Sequence, residues 1–138
     1  MYSDKITLFN RKAETWHATV LSGVDLNADK ALMVAKYGAT SKDKALLHVK
    51  YTLQEGRVVV GGNTYLPPKE WESAQSGITF KEGDFFMSGE WTGAATIFDD
   101  AYTIDGFYDY MNATNDGVYM ISSVAMYSVI PHFEIVGK

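Results

Sequence analysis

The sequence predicts a mainly β protein: a small antiparallel β-barrel or sandwich with one or two short helices and long loops. Short runs of alternating apolar and polar residues recur along the chain, separated by glycine, proline, asparagine or aspartate, as in strands joined by turns. Aromatic residues make up 14% of the sequence, and such side chains favour strands. The length of 138 residues suits one core, so we expect a single domain over 1–138.

The N-terminal third predicts two strands and one ambiguous segment. Lys5–Phe9 alternates and is predicted as the first strand, and residues 10–14 as a polar turn. In the second strand one face is expected to carry Trp16, Ala18, Val20, Ser22 and Val24, and the other His17, Thr19 and Leu21. For residues 25–43 we favour a loop with partial structure; a short helix over 28–37 and an irregular strand are the alternatives.

The middle of the chain predicts a hairpin, a short helix and further strands. Alternation over residues 47–53 indicates a half-buried strand, and a turn at Glu55–Gly56 leads into its partner, Arg57–Val60. After a turn at 61–63, Pro67–Ala74 is predicted to form one or two helical turns, because proline suits the start of a helix. Strands are then predicted at Ile78–Phe80 and Asp84–Ser88, with a turn at 82–84 between them.

The C-terminal third predicts a surface excursion followed by two strands. Residues 99–116 contain five aspartates among aromatics, and we expect an ordered surface segment with a short helix near 107–111. Val118–Tyr127 is predicted as a long strand, and 131–138 as a closing strand. The long strand is apolar on both faces, with Tyr119, Ile121 and Tyr127 on one and Val118, Met120, Val124 and Met126 on the other. Such a strand lies inside a barrel or packs on a neighbouring chain, which favours self-association.

Composition disfavours several classes of protein. The net charge of −5 disfavours nucleic-acid binding, which gains affinity from lysine and arginine. The absence of cysteine excludes thiol nucleophiles, disulfides and cysteine-bound zinc. The sequence shows no secretion signal and no membrane-spanning apolar run, so we expect assembly in a cytoplasm without membrane contact.

Catalytic and metal-binding motifs are not found. The three histidines, His17, His48 and His132, share no short spacing, and we expect them to be surface imidazoles on strand faces. Asp105–Gly106 is a fragment of a calcium loop, but Ile104 and Phe107 stand where ligands are needed. No pair of acids is singled out for glycoside hydrolysis, and no serine lies in a nucleophile elbow. We therefore expect no catalytic residue, cofactor or metal, and no enzyme.

Several short motifs, spread along the chain, resemble a family of small proteins encoded in the structural-gene clusters of tailed phages and prophages of Gram-positive bacteria. They are Ile6–Arg11, Trp16–Val20, Gly23–Val24, Gly83–Asp84 before Gly89, Val118–Val124 and Pro131–Lys138. The order of these motifs is similar to that in head–tail joining proteins generally. The resemblance is weakest over 25–44 and 92–115, where loops that contact partners would lie.

The resemblance implies a virion neck component, a head-closure (stopper) or head–tail connector protein. Such proteins are small β-barrels that form a ring below the portal and its adaptor, retain the packaged DNA and dock the tail. The expected partners are therefore further copies of the chain in a sixfold or twelvefold ring, portal or adaptor proteins, and tail proteins. The expected location is the virion, after assembly in the bacterial host cytoplasm. DNA would pass through the channel without specific binding, and the net charge of −5 is compatible with a wall that repels phosphates.

Two sets of residues are candidates for these contacts. A channel or docking loop is expected in 60–71 or in 99–116. Its candidates are Gly61, Gly62, Asn63, Tyr65, Pro67, Pro68, Asp99, Asp100, Asp105, Phe107 and Tyr108. Contacts between subunits are expected on the last two strands, at Tyr119, Ile121, Tyr127, His132 and Phe133.

Three other functions stay open. A tail terminator or tail-completion protein of the same gene cluster is the nearest alternative, and a long helix over 28–37 would favour it. A small β-barrel that binds nucleic acid would show salt-dependent binding to oligonucleotides. A hydrolase would need a concave pocket that brings acids or histidines together.

Overall fold

A computed structural model describes residues 2–28, 45–102 and 105–138. The segment 29–44, which contains most of the ambiguous stretch 25–43, lies outside the described residues, as do Met1 and 103–104. The helices are α1 (Pro68–Ser73) and α2 (Gly106–Thr114), with a 3₁₀ turn at Asp99–Ala101. The strands are β1 (Asp4–Lys12), β2 (Thr15–Asn27), β3 (Ala45–Lys50), β4 (Thr52–Gln54), β5 (Arg57–Val60), β6 (Asn63–Thr64), β7 (Phe85–Ser88), β8 (Thr96–Phe98), β9 (Val118–Tyr127) and β10 (His132–Gly137).

Six of these strands close into an antiparallel β-barrel. Their order is β1-β7-β9-β10-β3-β2, and β2 pairs back with β1, so each barrel strand has two neighbours. β8 extends the sheet beside the start of β2, and β4, β5 and β6 form a separate small sheet. The predicted mainly β class is therefore confirmed, and of the two architectures the chain adopts the barrel.

Most predicted elements match strands or helices of the structure, and three differ. The strand predicted over 47–53 is divided at Tyr51 into β3 and β4, which belong to different sheets. β1 continues through residues 10–12, which were predicted as part of a turn. Ile78–Phe80 is not a regular strand, because only Ile78 makes a bridge, in parallel with Tyr65. These last two stretches are held by tertiary contacts and side-chain hydrogen bonds that no local pattern reveals.

Two bulges change which face of the barrel a side chain occupies. Between β1 and β2 the register places Asp4 opposite Val24 and Lys5 opposite Ser22, so Gly23 is extra, and its φ of 68° suits glycine. Trp16 and Val24 therefore lie in different cores, although strict alternation predicted a shared face. Between β9 and β10 the extra residue is Ser122. This bulge separates Tyr119, which packs on the interior, from Tyr127, which is exposed.

The barrel interior is filled by one apolar cluster, the barrel core. It contains inward-facing residues such as Ile6, Leu8, Leu21, Leu47 and Ile135. Aromatic rings close one side of it. The ring of Phe133 lies 4.7 Å from that of Tyr65, 4.9 Å from that of Phe80 and 5.3 Å from that of Tyr51. The high aromatic content is thus partly explained by the core of the single chain.

A second apolar cluster, the outer core, lies on the outside of the barrel wall beneath α2. Its buried members are Phe9, Trp16, Phe85, Ile97, Phe107, Met111 and Val118. Adjacent residues of β7 point into different clusters, with Phe85 in the outer core and Phe86 in the barrel core. The predicted short helix near 107–111 lies within α2, which covers this core with Phe107 and Met111 and keeps its other face exposed on the surface.

A buried polar cluster closes the barrel where β1 ends and β7 begins. Asp84 and Asn10 are both 1% exposed. The carboxylate of Asp84 accepts hydrogen bonds from Asn10 Nδ2 (2.9 Å), Lys81 Nζ (2.8 Å) and the Arg11 backbone N–H (3.2 Å). Asn10 also donates to the Thr79 carbonyl at 2.7 Å. Burial raises the pKa of Asp84, whereas these donors lower it.

Asp99 fixes the start of α2 to the barrel. Its Oδ1 accepts hydrogen bonds from Trp16 Nε1 (2.9 Å) and the Phe107 backbone N–H (3.0 Å), and its Oδ2 lies 3.2 Å from Arg11 Nη2. A Cβ at Gly106, where φ is 89°, would lie 3.0 Å from Oδ1, so this close approach requires glycine. The carboxylate thus satisfies a free N–H in the first turn of the helix and ties that turn to Trp16 of β2, which is distant in the chain.

Low pH should weaken the hydrogen bonds that join Asp99 to Trp16 and α2. In the variant Asp99→Asn, stability should no longer depend on the protonation of this side chain. The pKa of Asp99 is lowered, first by the hydrogen bond from the Phe107 N–H, then by Trp16 Nε1, and also by the charge of Arg11. A lowered pKa in the folded state stabilises the fold above the unfolded value of about 3.9, and this stabilisation is lost as pH falls through the folded pKa. We expect the wild type to be more stable than the variant by about 1–2 kcal/mol at pH 7. The difference should shrink below about pH 4 in urea titrations at several pH values; a constant difference would contradict this account.

Candidate functional site

An apolar surface lies at one end of the barrel, around the turn between β9 and β10. Val129 is 95% exposed and Ile130 is 74% exposed. A groove of about 380 Å³ runs along this turn from Met126 to His132. A second groove, of about 450 Å³, connects Met126 with the β5 and α1 region. We call the combined area the hairpin-end surface; its apolar and aromatic residues are Val58, Tyr65, Leu66, Pro67, Met126, Tyr127, Val129 and Ile130.

The exposed turn is held by specific contacts to the barrel. The Tyr51 hydroxyl donates to the Tyr127 carbonyl at 2.9 Å, and the Tyr51 N–H donates to the Pro131 carbonyl at 3.4 Å. The Tyr127 ring stacks on His132 at 5.0 Å, with an angle of 13° between the planes. Exposed apolar side chains on an ordered turn are typical of a contact surface.

The first predicted loop lies partly on this surface. Tyr65 and Pro67 line the groove beside Met126, and Pro68 begins α1 directly after it. Gly61 and Gly62 form the exposed turn before Asn63, which starts β6. The Tyr65 ring is half-buried against Phe80 and Phe133. The second half of the stretch 60–71 therefore forms part of the hairpin-end surface.

The second predicted loop serves mainly to cover the outer core. Phe107, predicted as a docking residue, is completely buried there and has no exposed surface in this chain. Tyr108 is half-buried and packs edge-on against Phe85 at 5.0 Å. Asp99 is bound to Trp16 and α2, whereas Asp100 and Asp105 are exposed.

The predicted contact strand divides between core and surface. Ile121 and Phe133, predicted as subunit contacts, are buried in the barrel core, where they contact the chain's own residues. Tyr119 is half-buried against the same core. Tyr127 is exposed, and His132 is half-buried beneath it. Sequence alternation did not separate these roles because the bulge at Ser122 shifts the pattern within the strand.

Two of the three histidines, predicted to be surface imidazoles on strand faces, meet on the outer wall of the barrel. β3 and β10 place His48 opposite Glu134, and His132 lies two residues before Glu134 on the same face. Glu134 Oε2 is 3.0 Å from His132 Nε2 and 3.8 Å from His48 Nε2. Asp25 of β2 lies beside His48, with its Oδ2 3.7 Å from Nδ1. The pKa of His132 is raised, first by the hydrogen bond with Glu134 and then by the Ile130 carbonyl.

Comparison with known families gives one match over the full length. The model of DUF6751, a family of unknown function, matches residues 1–138. The chain belongs to DUF6751. No curated protein and no solved structure matches it.

The buried carboxylate of this DUF6751 chain is arranged for stability. Asp84 is enclosed by Asn10, Lys81 and the Arg11 backbone and has almost no contact with solvent, whereas a general acid or base needs an open side toward its substrate. No helix among the described residues is long and apolar enough to cross a membrane. Two features therefore stand out as candidate sites: the hairpin-end surface and the cluster of His48, His132 and Glu134.

Proposed function

We propose that this chain is a structural protein of the phage neck that forms a ring below the portal or adaptor, closes the DNA-filled head and docks the tail. The sequence resemblance supplies this specific role. The observation that supports it is the hairpin-end surface, an exposed apolar turn on an ordered barrel. Such a surface suits permanent contacts between proteins better than exposure to water.

Closure of the barrel limits how copies can associate. Each of the six barrel strands already has two partners, so the barrel offers no free edge for a strand of another copy. Contacts that copies make through the barrel itself would then use side chains on turns and faces. The hairpin-end surface provides these with Val129, Ile130 and Met126 at its tip. We assign this surface to the neighbouring copy in the ring.

The head-closure role is preferred to tail completion because the helices are short. α1 has six residues and α2 has nine, and both cover parts of a β-barrel. Tail-completion proteins more often combine helices with a sheet, and the segment 28–37, where a longer helix was considered, lies almost wholly outside the described residues. The net charge of −5 supports a channel through which DNA passes without binding.

Imaging of intact particles tests the location directly. In particles made by a prophage that encodes this chain, we expect density for a ring of these barrels directly below the portal or its adaptor. Mature infectious particles that contain no copy of the chain would overturn the proposal. Density in the tail tube or at the tail end of the neck would instead support the tail-completion role.

Ile130→Asp should block assembly without unfolding the protein. A charge in the apolar contact would cost roughly 2 kcal/mol or more at each interface, about 30-fold in affinity. We therefore expect the yield of infectious particles to fall at least about 30-fold, with DNA leaking from tailless heads. Circular dichroism and thermal unfolding of the purified variant should match the wild type, because the side chain is 74% exposed. Phe98→Asp is the control, since it places the same charge at another exposed apolar residue, on β8; equal yields from the two variants would contradict the assignment of the surface.

A further inference from the structure

We propose that His48, His132 and Glu134 bind a divalent transition-metal ion of the zinc class on the outer wall of the barrel. The inference does not depend on the proposed role in the phage neck. One ligand atom from each of the three side chains lies within 4.8 Å of the other two. Imidazole nitrogen and carboxylate oxygen form a donor set typical of zinc and its neighbours in the periodic table.

The distances need only small adjustments to fit an ion. In a tetrahedral zinc site with bonds of about 2.1 Å, neighbouring ligand atoms lie about 3.4 Å apart. Glu134 Oε2 is 3.0 Å from His132 Nε2, slightly less than this distance, and 3.8 Å from His48 Nε2, slightly more. The ligand nitrogens of the two imidazoles lie within 4.8 Å of each other. Rotations of the side chains can bring these nitrogens closer, and all three atoms around one ion, while the strands stay in place.

The far nitrogen of each imidazole lies next to an acceptor. His132 Nδ1 is 2.6 Å from the Ile130 carbonyl oxygen, so the tautomer with its proton on Nδ1 leaves a lone pair on Nε2. His48 Nδ1 faces Asp25 Oδ2 at 3.7 Å. Histidine ligands of metals are usually oriented in this way, by a carbonyl or a carboxylate on the nitrogen that does not bind the ion. The geometry thus points both Nε2 atoms toward the same carboxylate.

The ligands stand on a rigid base. They come from β3 and β10, which are neighbours in the closed barrel, and Glu134 pairs directly with His48. The residue opposite His132 is Lys50, but its ammonium lies over the Tyr2 ring, 4.2 Å from the ring centre. All three ligand side chains are partly exposed, so an ion can enter from solvent.

An ion pair between His132 and Glu134 does not account for the whole cluster. It leaves His48 unexplained, because His48 Nδ1 is shielded from solvent and makes no hydrogen bond. The second imidazole nevertheless directs Nε2 at the carboxylate oxygen that His132 already contacts. A cation between the three groups would use both imidazoles.

Zinc titration of the full-length protein tests the proposal. Calorimetry with ZnCl₂ should show one saturable site per chain, and Co²⁺ should give the visible absorption of a low-symmetry site. His48→Gln, His132→Gln and Glu134→Gln should each weaken binding by about 100-fold or more, and Asp25→Asn by roughly 10-fold. Zinc at about 100 times its Kd should raise the Tm of the wild type by roughly 5–10 °C.

His17→Gln is the matched control, because His17 lies near Thr15 and Trp71, away from the cluster. It should bind zinc like the wild type. Circular dichroism should show that Glu134→Gln, which keeps the size of the side chain, stays folded. A folded wild type without saturable zinc binding would overturn the proposal, as would ligand variants that bind as tightly as the wild type. Loss of binding in His17→Gln would also overturn it.

Discussion

Replacing Asp84 by alanine is expected to lower the free energy of unfolding by about 3–5 kcal/mol. The carboxylate accepts hydrogen bonds from Asn10 Nδ2, Lys81 Nζ and the Arg11 N–H. Alanine would leave the Asn10 amide buried with a lost partner and would leave the Lys81 ammonium near the barrel without its counter-charge. Urea unfolding followed by tryptophan fluorescence measures the change.

Two further variants show whether the buried contacts cause this loss. Asp100→Ala removes an exposed aspartate and should change stability by about 0.5 kcal/mol or less. Asp84→Asn should cost less than Asp84→Ala. Burial raises the pKa of Asp84, so the charged form bears a desolvation cost that the neutral amide avoids, while its oxygen still accepts one hydrogen bond. A loss below about 1 kcal/mol for Asp84→Ala would show that the cluster contributes little to stability.

The sequence could not predict this cluster, because its members meet only after the barrel closes. Asn10 and Asp84 are 74 positions apart, and each is followed or preceded by residues typical of a turn. A polar residue beside Arg11 and Lys12 is normally solvated, which is why residues 10–14 were predicted as a turn. Burial of Asn10 follows from the continuation of β1 alongside β2, a tertiary effect.

Strands were predictable because alternation is a local signal, although it did not decide between a barrel and a sandwich. The segments Lys5–Phe9 and 47–53 carry it, and both form strands in the structure, the second interrupted at Tyr51. The outer core was not predicted, since a strand that is apolar on both faces has two explanations. In β7, Phe85 packs in the outer core and Phe86 in the barrel core. Each face of this strand therefore contacts a different core of the same chain. Among the described residues, the most exposed large apolar side chains are Val129 and Ile130, in the β9–β10 turn.

The cluster of His48, His132 and Glu134 also could not be predicted from the sequence, because its residues meet only in the folded chain. Metal motifs are recognised in sequences by short spacings, and His48 and His132 lie far apart in the chain. Their meeting depends on the register of β3 with β10, which places Glu134 opposite His48. The one local signal was the spacing of His132 and Glu134, two residues apart on a strand and therefore on one face.

Phe107→Ala is expected to lower the free energy of unfolding by about 3–5 kcal/mol. The side chain is fully buried, and its ring contacts those of Tyr102 at 4.8 Å, Phe9 at 5.4 Å and Trp91 at 5.6 Å. Removing it would leave a cavity under α2, which also loses a main contact with the barrel wall. Urea unfolding gives the change in stability, and amide exchange should show α2 opening before the barrel strands.

Phe98→Ala is the matched control, because it removes the same side chain from a position that is 59% exposed. It should cost less than about 1 kcal/mol. If the two variants lose the same stability, α2 does not pack on the barrel as described, and Phe107 becomes available as a docking residue. If only Phe107→Ala is strongly destabilised, and the amide hydrogens of β3 and β10 exchange as in the wild type, the two cores open separately. The barrel would then hold its shape, and with it the hairpin-end surface, independently of the helix that covers its other side.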